Sequence, residues 1–325
     1  GSEPGIINGE EARRRAPWFS GVNPCAEILL GNKSFCNLSE VDLFKFKDDS
    51  GGLDRALFLA GRANYRQTLV NLDDGILQRT WHENNEYLRL CGVGLTGIAT
   101  REDLNSYDYK RFKNLAIHGA YSMADELGTQ RPKNVTTIKP SGTLSKIMDT
   151  TEGCHKPMGK YIFNNVNFSI NDPMLPKLRE AGYHVVLNPT DEHNAIVTFP
   201  VAWENIRFDK EGDLYVNKES AIEQLTRYKL LMDSYVEQNC SITVSYKEDE
   251  VPAIRDWLKS NWSSYVGVSF LPITNTTYEY LPQEVVTEAR YKEYVAQLTD
   301  VDFSDTDSTH EIENDECESG VCPVK

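Results

Sequence analysis

The sequence lacks any apolar run long enough to cross a membrane. A transmembrane helix needs about 20 consecutive apolar residues, and the 325-residue chain holds no such run although 40% of it is hydrophobic. The N-terminus also lacks the basic-then-apolar order of a secretory signal. We therefore expect a globular cytoplasmic protein with no membrane partner, large enough to bury a sizeable core.

Positive charge is scarce. The chain has 34 Lys and Arg against 49 Asp and Glu, which gives a net charge of −15. This balance argues against a nucleic-acid partner, although a local pocket can still hold a small anion. Nine carboxylates and no Lys or Arg lie within residues 300–320, a stretch with few large apolar side chains. That composition predicts a solvated acidic tail.

The seven cysteines do not form a secreted disulfide framework. Their number is odd and they are spread from Cys25 to Cys322. A chain of this size does not need disulfides to fold, and no second Cys/His pair completes a zinc site. We expect no metal site, and thiols that are either reduced or redox-active.

Apolar spacing predicts at least two packing helices with short strands between and after them. One helical face is formed by Leu53, Leu57, Ala60 and Ala63, and another by Leu225, Tyr228, Met232 and Tyr235. Apolar β-prone runs occupy 183–187, 195–201, 241–246 and 265–272. Helices that alternate with apolar strands favour an α/β fold with a largely parallel sheet, either open or closed into a barrel.

The motif NPCAEI, residues 23–28, brings a thiol, a carboxylate and an amide onto one short loop. Asn23, Cys25 and Glu27 are close enough in sequence to act together on one substrate carbon and its hydroxyl. The alternative is an ordinary turn that contains a half-buried cysteine. These residues alone leave both interpretations open.

The motif IKPSGTLSKI, residues 138–147, places small residues between a β-prone run and a predicted helix. Several backbone N–H groups at such a helix start can hold a phosphate. The spacing is not that of a Walker A loop, and Ser-Gly-Thr at this position is also an ordinary helix-capping signal.

The motif CESGVC puts Cys317 and Cys322 on the predicted acidic tail. Two exposed thiols on a tail serve no core, and a mobile arm lets them visit a site and return to solvent, so a redox pair is favoured. The alternatives are adventitious metal binding and no function. Cys91 and Cys240 lie in apolar surroundings and are predicted core residues, whereas the Cys154-His155 dipeptide is ambiguous.

The glycines of CGVGLTG, residues 91–97, suggest a nucleotide fingerprint only superficially. No downstream acid in a strand-turn-helix context accompanies them. We therefore interpret Gly92, Gly94 and Gly97 as sites of close helix packing.

Several stretches taken together resemble one enzyme family. They are NPCAEILL and FCNLSEV, CGVGLTGIA, IKPSGTLS, VVLNPTDEHNAIVTFPV, QNCSITVSYKEDEVPAIRDWL and CESGVCPVK. Their order is similar to that of the adenosylcobalamin-dependent ribonucleotide reductases, and most of all to the C-terminal part of the monomeric ribonucleoside-triphosphate reductases. The resemblance covers nearly the whole chain. It implies an enzyme that reduces ribonucleotides, with adenosylcobalamin as cofactor and ribonucleoside triphosphates as substrates.

The resemblance also implies roles for individual residues. Cys25 matches the cysteine at the tip of the finger loop that becomes a thiyl radical and abstracts the ribose 3′-hydrogen. Glu27 matches the carboxylate that takes the 3′-hydroxyl proton, and Asn23 the amide that hydrogen-bonds the substrate hydroxyls. Cys36 matches one member of the reducing pair, whose oxidation to a disulfide supplies two electrons.

Two further segments are matched in the same way. The loop implied to hold the substrate phosphates consists of Pro140, Ser141, Gly142, Thr143, Leu144 and Ser145. Cys317 and Cys322 match the swinging-arm pair that re-reduces the active-site disulfide and is then reduced by thioredoxin or a similar dithiol.

The implied architecture is the C-terminal half of a ten-stranded α/β barrel. Residues 1–295 would form this half, with the finger loop at about 21–40, and residues 296–325 the flexible redox tail. Because a thiyl radical must be kept from water and stray thiols, we expect Cys25 inside a closed barrel. The family's first barrel half, its effector site and the partner of Cys36 are not recognisable here. We therefore expect a split or processed enzyme that pairs with an N-terminal polypeptide.

Three alternatives remain open from the sequence. The chain could be a non-catalytic scaffold half of a reductase, or a thiol-redox module that uses only Cys317 and Cys322. It could also use another radical class, since Tyr278 and Tyr280 leave a tyrosine relay conceivable.

Overall fold

A computed structural model of the chain describes residues 5–73, 75–273 and 281–302. Within these ranges the chain forms two compact units. The first comprises residues 5–157 and 217–273, and the second residues 158–216 and 281–302. The tail cysteines Cys317 and Cys322, together with Tyr278 and Tyr280, lie outside the described residues, so the predictions about them stay predictions.

Strands and helices alternate along most of the first unit. Its strands are β1 (Gly5–Ile7), β2 (Gly21–Val22), β3 (Leu29–Leu30), β4 (Asn37–Asp42), β5 (Cys91–Thr96), β11 (Thr243–Tyr246) and β12 (Gly267–Pro272). Its helices are α1 (Gly9–Arg15), α2 (Ser50–Gln67), α3 (Arg79–Leu88), α4 (Ser106–Glu126), α5 (Leu144–Met148), α7 (Ala221–Ser234) and α8 (Val251–Ser260).

A parallel ladder organises this unit. β4 pairs in parallel with β5, and a parallel bridge from Val93 to Thr136 continues the ladder to the 134–138 segment. A second parallel bridge, from Ile138 to Cys240, leads to the segment that becomes β11, and β11 pairs in parallel with β12. Parallel segments thus follow one another from β4 to β12, and β1 closes the far edge in antiparallel orientation. The predicted parallel sheet is present in this unit.

Helices α2, α4 and α7 pack with the ladder and share its hydrophobic core. All four predicted apolar positions of α7 and its C-cap are buried, as are Leu53 and Leu57 of α2. Ala63, however, is exposed, because Gly61 lies against α4 instead. A Cβ atom at Gly61 would clash with the carbonyl oxygen of Ala116. The two helices therefore approach closely through a glycine that apolar spacing does not reveal.

The interpretation of Gly92, Gly94 and Gly97 as helix-packing residues is wrong. Gly92 and Gly94 lie in β5, a strand buried along its whole length, and Gly97 follows it with a φ of +71°. A Cβ atom at Gly92 would meet Leu38 and Ile28, and one at Gly94 would meet the stem of Lys139. The glycines let neighbouring side chains cross a central strand, which is one reason for glycine inside a strand.

The second unit is built on an antiparallel sheet. Its strands are β6 (Tyr161–Ser169), β7 (Val185–Leu187), β8 (Asn194–Ala202), β9 (Asp209–Glu211), β10 (Leu214–Val216) and β13 (Gln283–Val285), and its helices are α6 (Met174–Glu180) and α9 (Glu288–Ala296). The main sheet has the order β13-β6-β8-β7 with every pair antiparallel.

The expected parallel arrangement is therefore wrong for two of the predicted strands. The runs at 183–187 and 195–201 do form β7 and β8, but these pair with each other, and β8 with β6, in antiparallel register. Strand propensity predicts that a segment is extended and does not fix the direction of its partner. In the described ranges, no helix combines the length and apolar content needed to cross a bilayer.

Candidate active site

Residues 21–30 form a short hairpin that carries the NPCAEI motif at its tip. β2 and β3 pair in antiparallel register, with Val22 opposite Leu29. At the tip, the Ala26 N–H donates to the carbonyl of Asn23 at 2.8 Å, and Ala26 has a φ of +60°. A non-glycine residue in this left-handed region is uncommon and marks a tightly constrained turn.

Hydrogen bonds hold the hairpin tip against two segments of the parallel ladder. Asn239 Nδ2 donates to the Ala26 carbonyl at 2.8 Å, and Thr137 Oγ1 donates to the Glu27 carbonyl at 2.8 Å. Asn239 is itself fixed, because the buried Tyr228 hydroxyl donates to its Oδ1 at 2.9 Å. The backbone on either side of Glu27 is therefore held by buried side chains that also belong to the core.

Asn23 and Glu27 are buried beside each other in the tip. Asn23 Oδ1 accepts the Ile28 N–H at 2.9 Å, and the Asn23 side chain is close enough to Glu27 to lower the pKa of its carboxyl group. Burial raises the pKa of Glu27, against lowering by its own N–H, by Asn23 and by Lys139. Among the described residues, Glu27 Oε2 has no hydrogen-bond partner. A buried carboxylate with one free oxygen can accept a proton from a bound hydroxyl.

Cys25 is exposed and lines an open cavity of about 400 Å³. Asn239 and Pro140 line the same cavity, so the hairpin tip and the start of the predicted phosphate loop share one space. Partial burial and then the nearby Glu27 raise the pKa of the Cys25 thiol, and Lys139 opposes them. Cys25 is therefore an S–H thiol at neutral pH, which is the form that has a hydrogen atom to give.

The expectation that Cys25 lies inside a closed barrel is not met by this chain. Within the part of the chain that the structure describes, β4 pairs only with β5, and its other edge is open. The strands of this part therefore do not close around the hairpin. The tip is enclosed on the side of Thr137 and Asn239 and open on the side of the Cys25 thiol.

Cys36 lies directly before β4 and is half-buried beside Ile28, Leu88 and Leu90. Burial, then Glu27, and more weakly Cys25 raise the pKa of its thiol, while its own N–H and Lys139 lower it. Cys36 thus shares an electrostatic environment with Cys25 and Glu27. The five cysteines in the described ranges are all free.

The predicted phosphate loop, residues 140–145, continues from the 134–138 segment of the ladder. Ser141 is buried with a φ of +59°, and Ser145 is buried with an Oγ that has no hydrogen-bond partner among the described residues. Gly142, Thr143 and Leu144 are exposed. Thr143 precedes α5 without capping it through its side chain. The ordinary capping interpretation of this motif is therefore wrong, and backbone N–H groups stay available at the loop.

The remaining cysteines lie in the core, as predicted for Cys91 and Cys240. The ambiguous Cys154 is buried too, with its Sγ 3.7 Å from that of Cys240. Hydrogen bonding from the Cys240 thiol lowers the pKa of Cys154. His155 Nε2 accepts the Thr243 N–H at 3.1 Å.

Sequence reasoning missed four residues that shape the site. Asn239 and Thr137 hold the hairpin tip, and Lys139 and Glu40 form a buried ion pair next to it. The only sequence signal is a polar residue at the end of an apolar strand, which is too common to single out these positions.

The fold is that of a known class of structures. The chain matches a crystal structure of a B12-dependent (class II) ribonucleotide reductase with a TM-score of 0.81 at 22% identity, over 92% of this chain and 46% of that chain. A class Id ribonucleotide reductase alpha subunit from Actinobacillus ureae matches with a TM-score of 0.55 at 13% identity, over 83% of this chain and 58% of that chain. The chain has the mixed α/β fold of the class II ribonucleotide reductases.

The amino-acid sequence is similar to those of several named enzymes. The chain is 27% identical to the adenosylcobalamin-dependent ribonucleoside-triphosphate reductase of Lactobacillus acidophilus and 26% identical to that of Levilactobacillus brevis, over 99% of its length in both cases. It spans about half of each relative, 49%. No family model matches the sequence. The resemblance stated from the motifs is confirmed.

Proposed function

We propose that the chain carries the radical-bearing part of the active site of an adenosylcobalamin-dependent ribonucleotide reductase that acts on ribonucleoside triphosphates. The observation that carries this proposal is the grouping of Asn23, Cys25 and Glu27 on one anchored hairpin tip, with Cys36 in the same electrostatic environment. The names of the sequence relatives support the substrate and the cofactor.

Each of these side chains has a separate role in the proposed reaction. Cys25, as a thiyl, takes the hydrogen atom from the ribose 3′-carbon and later returns one. Glu27 accepts the 3′-hydroxyl proton through its free oxygen, and Asn23 orients that carboxylate and the substrate hydroxyls. The 2′-hydroxyl then leaves as water. Cys36 and a second thiol give up two electrons and two protons as they form a disulfide: one proton leaves with the 2′-hydroxyl as water, and the electrons with the other proton form the new C2′–H bond. Glu27 returns its proton to the 3′-oxygen.

The residues present fit the approach of adenosylcobalamin. Cys25 is exposed on an open cavity, so a bulky group can reach its thiol without movement of the hairpin. Ile6, Val22 and Pro24 line the same cavity and would lie against that group. When bound, adenosylcobalamin supplies the carbon-centred radical that removes the hydrogen atom of a thiol.

The phosphates of the substrate would lie at residues 140–145. Pro140 lines the cavity with Cys25, and the exposed Gly142 and Thr143 leave backbone N–H groups available at the start of α5. Backbone N–H groups in such a turn bind anions without a net positive surface. This arrangement suits a protein whose overall charge is −15.

A complementary N-terminal polypeptide, separate or joined, would complete the site. Two features call for it: the thiol of Cys25 is exposed, and one edge of β4 is open in the described part of the chain. A second set of strands on that edge would enclose Cys25 and bring a thiol to Cys36. The acidic tail would carry electrons from thioredoxin through Cys317 and Cys322. The five free cysteines of the described ranges suit a reducing, cytoplasmic compartment.

An anaerobic reconstitution tests the proposal. The chain, an N-terminal reductase polypeptide, adenosylcobalamin, a ribonucleoside triphosphate and a dithiol are combined, and deoxynucleotide is measured with each component omitted in turn. We expect product only when both polypeptides and the cofactor are present. No product from the complete mixture of folded proteins would favour a non-catalytic scaffold. Full activity of this chain alone would contradict the need for a complement.

A further inference from the structure

Lys139 occupies a partly buried position next to the predicted phosphate loop. Its side chain is 12% exposed, and its Nζ lies 3.5 Å from Glu40 Oε2. The Glu40 side chain is completely buried and its Oε2 also accepts the Ser141 hydroxyl at 2.7 Å. In the described ranges, Glu40 Oε1 has no hydrogen-bond partner. One carboxylate therefore joins Lys139 to the loop residue Ser141.

The fold builds a slot for the Lys139 stem. Glu40 on β4 is directly opposite Gly94 on β5 in the parallel ladder, and the 134–138 segment that leads to Lys139 is the next one along. A Cβ atom at Gly94 would lie 3.2 Å from both Cγ and Cδ of Lys139, which is tighter than ordinary packing. The glycine thus leaves room for the lysine stem to cross the strand.

Lys139 follows Thr137, whose hydroxyl donates to the Glu27 carbonyl, by two residues, and it directly precedes Pro140, which lines the cavity with Cys25. From this position its charge opposes the rise in the pKa of Glu27, of Cys25 and of Cys36, although burial keeps all three above their ordinary values. The other groups that act on Glu27 are its own N–H and the Asn23 side chain. Burial opposes all of them, because a charged carboxylate loses solvation when it is taken from water. Among the described residues, Lys139 is the cation that compensates this loss at the hairpin tip.

We propose that Lys139 is a positioning residue of the active site, whose ammonium group, held by Glu40 in the slot over Gly94, favours the ionised form of Glu27, while the neighbouring thiols of Cys25 and Cys36 stay protonated and report the same charge. This inference deepens the proposed function and rests on it. Its consequence for the reaction is specific: Glu27 must be ionised to take a proton, and a nearby buried cation favours that form.

Replacement of Lys139 by an uncharged residue should change the pKa of both thiols in the same direction. Without the ammonium group, the pKa of each thiol rises, so less thiolate is present at a given pH below that pKa. Alkylation by iodoacetamide requires the thiolate. In Lys139→Met, we expect Cys25 and Cys36 to react roughly threefold to tenfold more slowly at a fixed pH near neutrality. Lys139→Arg keeps the charge and should restore most of the rate.

The experiment follows alkylation of the full chain as a function of pH, resolved by peptide mass spectrometry. Cys91, Cys154 and Cys240 are buried and report intactness of the fold, because they become reactive only if the core opens. Lys110→Met is the matched control: it removes one positive charge from an exposed position on α4 and should leave both thiol profiles unchanged.

Each outcome decides the proposal. Slower alkylation in Lys139→Met with rescue by arginine and no effect of Lys110→Met supports it. Unchanged profiles of Cys25 and Cys36 in a folded variant overturn it. If Lys139→Met and Lys139→Gln both expose the core cysteines, Lys139 is a structural residue and the proposal is also overturned. The assay uses no cofactor, substrate or second polypeptide, so its result is independent of whether the chain reduces nucleotides.

Discussion

At the scale of single residues, burial and neighbouring polar groups define the environment of the Glu27 carboxyl group. Glu27 is 2% exposed, its pKa is influenced by the neighbouring Asn23 side chain, and it has an oxygen without a partner in the described part of the chain. Burial alone would favour the neutral acid, and the ammonium of Lys139 favours the carboxylate. Burial is the larger effect, so the pKa of Glu27 lies above its ordinary value, as is common for a carboxyl group at a functional site.

The variant Glu27→Gln should shift the pKa of the Cys25 and Cys36 thiols in the direction opposite to that expected for Lys139→Met. The negative charge of Glu27 raises the pKa of both Cys25 and Cys36, so its removal lowers them. We expect both thiols to be alkylated roughly threefold to tenfold faster near neutral pH. Deoxynucleotide formation in the reconstituted system should fall roughly hundredfold or more, because the variant lacks the proposed general base.

The control for this variant is Glu102→Gln, at an exposed position outside the site. It removes the same charge and should change neither the alkylation profile nor turnover. Thiol profiles in Glu27→Gln that coincide with those of the unaltered chain would mean that Glu27 and the two cysteines do not share one electrostatic environment.

At the scale of elements, the close contact of α2 with α4 determines how the ladder is covered. A methyl group at Gly61 would collide with the Ala116 carbonyl, and backbone atoms cannot move aside as a flexible side chain can. We expect Gly61→Ala to lower the free energy of unfolding by about 2 kcal/mol or more. Denaturant unfolding of the full chain measures it.

Gly51→Ala is the comparison for that variant. Gly51 lies in the first turn of the same helix, and a methyl group at this position would meet only a side-chain oxygen of Asp49 at 3.8 Å. Because alanine has the higher helix propensity, this variant should be neutral or slightly stabilising. Equal destabilisation by both substitutions would show that the α2–α4 contact does not determine the effect.

The elements also show what the sequence could and could not predict. The NPCAEI motif alone left a reactive loop and an ordinary turn both open, and only the resemblance to a family favoured the reactive loop, whose residues are close in sequence. Asn239, which holds the loop, is 213 positions from Ala26. Such contacts are set by the order of strands in the ladder, and local patterns do not specify that order. For the same reason β7 and β8 were predicted as strands but not as antiparallel partners.

At the scale of the whole molecule, the described residues would provide one side of the proposed reaction centre. The hairpin tip is anchored to Thr137 and Asn239, while the Cys25 thiol is exposed. A radical on a sulfur atom is useful only where water and other thiols are excluded. The complementary polypeptide is therefore central to the account: it would enclose Cys25, supply a partner for Cys36 and leave the tail to reach the site from solvent.

The most direct test of the account compares Cys25→Ser with Cys91→Ala in the reconstituted anaerobic assay. Cys91 is fully buried in β5, outside the proposed chemistry, so Cys91→Ala controls for the loss of a thiol. We predict no measurable deoxynucleotide from Cys25→Ser and substantial product from Cys91→Ala, with both variants folded. Deoxynucleotide formation by Cys25→Ser at the rate of the unaltered chain would contradict the claim that Cys25 carries the radical.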